Sequence, residues 1–126
     1  MQDVKLKVVT ALPAAAASNN SASLDLQGVN NGFAKLVVDV PQLTALVDAK
    51  TVTYTLYDSA DNSSFAVVEG YGNMVITGAG GVGAAAKIWK LMIHDHVRRY
   101  VRLNQAVLTA GGDNTAKSTT FGVAIP

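Results

Sequence analysis

A chain of 126 residues without cysteine is long enough to bury a core unaided, and it can use neither disulfide nor thiol chemistry. Its formal charge is only +1, and its ten Lys and Arg are scattered apart from Arg98, Arg99 and Arg102. That balance argues against nucleic acid as a partner, because a phosphate backbone asks for a basic patch. Charged residues make up 15% of the chain, so much of the surface is neutral polar or apolar, a mild sign of burial against a partner.

In chain order, Val4, Leu6 and Val8 alternate with Lys5, Lys7 and Val9, which suits a short strand or an extended arm. Lys5 and Lys7 followed by the small-residue run to Ala17 imitate a weak signal peptide. Asp3, the shortness of the run and the interruption at Pro13 argue against one. No stretch approaches the ~18 apolar residues of a membrane helix. Ala14–Ala17 with Ser18-Asn19-Asn20-Ser21 reads as a linker or loop. Ser23–Gln27 alternates and stops at Gly28, and Asn30-Asn31-Gly32 is a turn signal. Lys35–Val40 predicts a strand closed by Pro41. Leu43, Leu46 and Val47 then sit at helical spacing, over a piece long enough for about two turns.

Thr51–Tyr57 is dense in β-branched and aromatic residues and predicts a strand with Val52, Tyr54 and Leu56 on one face. The Asp58–Ser64 segment reads as a turn whose short side chains bond back to their own backbone. Phe65–Glu69, Asn73–Thr77, Lys87–Ile93, Arg98–Thr109 and Lys117–Ile125 read as further strands, with a turn at Gly111–Asn114. Eight or nine strands joined by short polar loops predict an all-β domain over residues 1–126, a sandwich, jelly roll or barrel. Residues 1–20 read as an extended N-terminal arm.

The most pointed motif is Met74–Ala86, MVITGAGGVGAAA, which contains Gly78-x-Gly80-x-x-Gly83. A dinucleotide site needs that fingerprint on the first turn of a βαβ unit, with an acid ~20 residues further on. Here strands precede the motif, and the matching downstream region is Arg102-Leu103-Asn104-Gln105, with no acid. The expected alternative is a flexible loop whose glycines adopt backbone angles closed to other residues. His94-Asp95-His96 places two imidazoles close together, but the chain has no other histidine and no cysteine to complete a tetrahedral site. Asp58, Asp61 and Asn62 miss the calcium-loop spacing. Glu69 is the only glutamate, and no nucleophile–base pair stands at a useful spacing. No enzyme, metal or cofactor is expected. The Ser59–Phe65 turn has the look of hairpins in carbohydrate-binding sandwiches, with Trp89 and the tyrosines as stacking rings. A carbohydrate-binding module or tail-associated adhesin is therefore the alternative reading.

Taken in order, the strand–DSADNSS–strand unit of Thr51–Phe65, then TGAGGVGAAA, then RRYVRLNQAVLTAGGDNTAKST resembles the capsid cement (decoration or stapling) proteins of short-tailed bacteriophages. The similarity runs over roughly Ser23 to Ile125, and Arg99-Tyr100-Val101-Arg102 with the following Gly-Gly turn is its most specific part. The resemblance implies a jelly-roll-like antiparallel β-sandwich of about eight strands without a catalytic site. It also implies a homo-oligomer, preferably a dimer, on the outside of the virion, made in the bacterial host cytoplasm and bound to the major capsid protein. Neither nucleic acid nor membrane is expected as a partner. Candidate interface residues are Val4, Leu6, Val8 and Leu12 of the arm, Gly78, Gly80, Val82 and Gly83 of the glycine loop, and Trp89, Arg99 and Arg102. On this reading, deleting residues before Ser18 should weaken capsid binding and leave the β fold intact.

Overall fold

The computed structural model describes residues 2–26, 35–68, 71, 74–93 and 97–124. Ten strands form: β1 (Gln2–Ala11), β2 (Ser18–Asn20), β3 (Leu24–Asp25), β4 (Lys35–Val40), β5 (Thr51–Ser59), β6 (Ala66–Val67), β7 (Met74–Thr77), β8 (Lys87–Met92), β9 (Tyr100–Val107) and β10 (Ser118–Ala124). No helix occurs among the described residues. One sheet has the order β1-β10-β4-β8. The other runs β2-β9-β5-β6, with β3 also on β9 and β7 also on β5. All these pairings are antiparallel.

The short strands β2 and β3 share one flank of β9, and β6 and β7 share one flank of β5. Counted by position, each sheet is therefore four strands wide. The order 1-10-4-8 against 2/3-9-5-6/7 is that of a jelly roll. The expected fold class stands.

The core follows from period-two alternation. Val52, Tyr54 and Leu56 on β5 and Val101, Leu103 and Val107 on β9 face inward from one sheet. Leu36, Val38 and Val40 on β4 and Phe121 and Val123 on β10 meet them from the other. β5 continues two residues beyond its expected end, into the segment read as a turn. It can do so because Arg98 donates to the buried Asp58 from its backbone N, its Nε and its Nη2, at 2.8–3.0 Å. A buried carboxylate persists only when so compensated.

Two local expectations are corrected, and a third is narrowed. The 41–50 segment is not helical: Leu43 exchanges backbone hydrogen bonds with Ala84, and Val47 N donates to Gly111 O. Leu43 and Leu46 are buried while Val47 is exposed, so helical spacing here reflects two plugs for one end of the sandwich. Residues 18–20, read as loop, add a strand to β9. Of the two forms read for the N-terminal stretch, strand or extended arm, it takes the first: an edge strand paired with β10 from Lys7↔Gly122 to Ala11↔Ser118.

Candidate functional site

The glycine loop is tied down at its base. Gly78 N donates to Lys50 O, Gly78 O accepts from Ala49 N, and Ala79 N donates to Gly83 O. The Asp48 carboxylate accepts from Gly81 N at 2.9 and 3.2 Å. Gly80, Gly81 and Gly83 lie at positive φ, as expected of glycine. Gly78 serves differently: a Cβ there would lie 2.5 Å from Val47 O. At Gly83 both demands coincide, because φ is +80° and a Cβ would lie 1.9 Å from Leu43 O. These glycines let the loop lock onto the 41–50 segment, and only the tip, with Val82 exposed, projects. No helix follows, so the fingerprint lacks the helix N-terminus that would hold a pyrophosphate.

The other candidate residues separate onto different surfaces. Leu12 is buried and Val8 packs against the core, which removes both from a reaching arm. Val4 and Leu6 lie within β1. Trp89 pairs with the buried Val38 on the inward side, 5.7 Å between ring centroids from Tyr54, so it closes the edge of the core. Arg99 and Arg102 stand at the start of β9, in the other sheet, instead. Arg99 holds Asp25 through Nε and Nη2, both at 2.9 Å, and stands 5.0 Å from the Tyr100 ring. The guanidinium of Arg102 lies 4.0 Å from the Phe65 ring centroid and 6.0 Å from that of Tyr57. The structure brings together the loop residues 78–83 but not the eleven candidates as one site.

The outer face of the four-stranded sheet went unnoticed in the sequence. Register places Val9, Thr120, Asp39 and Ile88 in one row, and Lys7, Gly122, Val37 and Lys90 in the next. Lys35 and Met92 stand beyond them. Val9, Ile88 and Met92 are 63%, 54% and 59% exposed, high for large apolar side chains standing on one face. Ser118, Thr120 and Gly122 of β10 keep the middle of the face low. Among the described side chains, three lysines oppose one aspartate there, and none of the three joins a described ion pair. The signal was available in outline: the alternation of β8 put Ile88, Lys90 and Met92 on one side, but only cross-strand register shows that β1 and β4 add to it.

The charged turn around Asp61 is internally satisfied. Asp61 accepts from the Ser64 and Ser63 amides and the Ser59 hydroxyl. These bonds, the Ser64 amide first, pull its carboxyl down to about 2. It behaves as the self-bonded turn read from the sequence. Among the described residues, no group of three or more His, Cys, Asp or Glu could hold a metal, and His94-Asp95-His96 lies outside them. No helix among the described residues is long and apolar enough to cross a membrane.

No protein-family model matches the chain, and no curated protein matches it. Among solved structures, a protein of Sulfurospirillum deleyianum known from its crystal structure aligns with a TM-score of 0.47 and 6% identity, over 96% of this chain and 96% of that one. At that score and identity the likeness carries no argument about activity.

Proposed function

We propose that the chain is a capsid cement protein, non-catalytic, which docks on the outside of an assembled phage head and bridges neighbouring coat subunits. The observation that carries this reading is the outer face of the four-stranded sheet, where Val9, Ile88 and Met92 stand exposed among Lys7, Lys35 and Lys90. A low, broad face with apolar anchors and an excess of cations suits a flat partner surface of acidic character. Binding only the assembled lattice stabilises it by mass action, and repetition over a symmetric shell turns weak contacts into avidity. The same sheet ends in β1, whose far side has no strand partner among the described residues. Pairing of two β1 edges would give the dimer that such a bridge needs.

Co-sedimentation of the purified protein with expanded heads of the phage that encodes it tests the reading. Saturable pelleting with heads and none with free coat subunits is the expected result. Absence of pelleting with heads would sink it.

A further inference from the structure

The opposite sheet carries a separate feature. Three arginines cluster at the start of β9, and two are spoken for: Arg98 by Asp58 and Arg99 by Asp25. Arg102 is different. Its side chain is partly buried, with its guanidinium stacked over Phe65 and near Tyr57. Among the described residues its Nε is buried without a hydrogen-bond partner, and neither described ion pair includes it. A cation withdrawn from water ordinarily gains a counter-charge or a full set of acceptors. Here ring faces hold the guanidinium in place, and stacking contacts the plane of a guanidinium while its N–H groups lie along the edge. Neighbouring outward positions on the same face carry hydroxyls and amides: Tyr57 opposite Arg102, and Thr55 opposite Asn104, whose Nδ2 donates to Asn19 O and Asn20 Oδ1.

We propose that Arg102, with Tyr57 and Phe65, forms a subsite for a carboxylate-bearing sugar, of the uronic acid class. The charge count selects this class. Among the described residues, with Arg98 and Arg99 paired and Asp61 held by its own turn, the cluster offers one cation outside any ion pair, beside hydroxyls, amides and rings. An acidic peptide tract would call for several cations. A pyranose with a single carboxylate needs one fork for the acid, neutral polar groups for its hydroxyls and a ring for its apolar face. The subsite lies on the sheet opposite the proposed docking face, so it is independent of capsid binding.

The test is a titration of isotopically labelled protein with the methyl glycoside of galacturonic acid, which carries one carboxylate, alongside the neutral methyl galactoside. The Arg102 Nε–H resonance of the wild-type protein should shift with the uronate and not with the neutral sugar. Calorimetry should give about tenfold tighter binding for the uronate. Arg102→Lys keeps the charge but not the planar fork, and should weaken binding by about tenfold. Lys117→Gln, at an exposed position just before β10 on the other sheet, should stay within about twofold. An unmoved Arg102 resonance at millimolar uronate would overturn the proposal, whether or not Arg102→Lys folds. So would equal binding by Arg102→Lys, or equal losses in both variants, which would mark diffuse attraction to positive charge. Tighter binding of a short polyaspartate than of the uronate would reassign the surface to protein partners and overturn the sugar class.

Discussion

At the scale of single residues, the two sheets are joined by a one-way chain of hydrogen bonds through the core. Gln105 Nε2 donates to Ala11 O at 2.9 Å, and its Oε1 accepts from the Thr119 hydroxyl at 2.8 Å. With that hydrogen committed, the 2.9 Å contact between Thr119 Oγ1 and the Tyr54 hydroxyl has Tyr54 as donor. Tyr54 and Gln105 belong to one sheet, Ala11 and Thr119 to the other. A phenolate could not donate, and it would be buried. Burial accordingly pushes the Tyr54 hydroxyl up to about 12 from its ordinary 10.0. Because the folded value is the raised one, the stabilisation is complete below pH 10 and is lost as pH rises from 10 to 12. Thermal melting across that range should show a steep alkaline loss for the wild type. Tyr54→Phe should start about 1 kcal/mol less stable and fall less steeply; parallel curves would mean that Tyr54 does not titrate with unfolding. The sequence placed Tyr54 inward by alternation. It gave no sign that Gln105, a polar residue at an inward position of β9, would be satisfied, because its partners are 14 and 94 residues away.

At the scale of elements, legibility tracked how much of a strand's stability is written in its own side chains. β4, β5, β9 and β10 carry clean alternation and were found within a residue or two of their expected bounds. β2, with Ser18, Asn19 and Asn20, has no such pattern and exists because β9 offers it a ladder. The glycine loop was readable as a loop, but its fixed base was not, since Leu43 O and Val47 O press on it from a distant segment. The N-terminal stretch shows the same limit: alternation allowed both arm and strand, and only β10 decides. This changes the outcome expected of a deletion. Removing residues before Ser18 takes away β1, the buried Leu12 and the Ala11 carbonyl that Gln105 needs. It also uncovers the edge of β10, a template for aggregation. Loss of Leu12 alone should cost about 2–5 kcal/mol. The truncated chain should therefore fail to give a cooperative melt or a monomeric elution peak. A truncated protein that melts like the full chain would restore the free-arm reading.

At the scale of the whole molecule, a jelly roll leaves two broad outer faces, and here they differ in chemistry. One presents Thr51, Thr53, Thr55 and Tyr57 with Arg102 and Asn104. The other presents Val9, Ile88 and Met92 among lysines. Fold alone assigns neither a role, so the docking proposal must survive variants that alter a face without touching the core. Val9→Asp with Ile88→Asp does so, because both side chains are already more than half exposed; the first should stay within about 0.5 kcal/mol of stability, and the second, directly opposite Asp39, should cost up to about 1 kcal/mol. The double variant should lose pelleting with heads while melting almost as the wild type does. Lys35→Glu and Lys90→Glu act through a different term. Rim charges mainly set the rate of encounter and its dependence on salt. These variants should slow association at low ionic strength and converge on the wild type as salt rises. If the aspartate pair leaves pelleting intact, docking uses another surface. If the glutamate variants bind faster, the partner surface is basic, and the charge pattern on which the docking face was chosen points the other way.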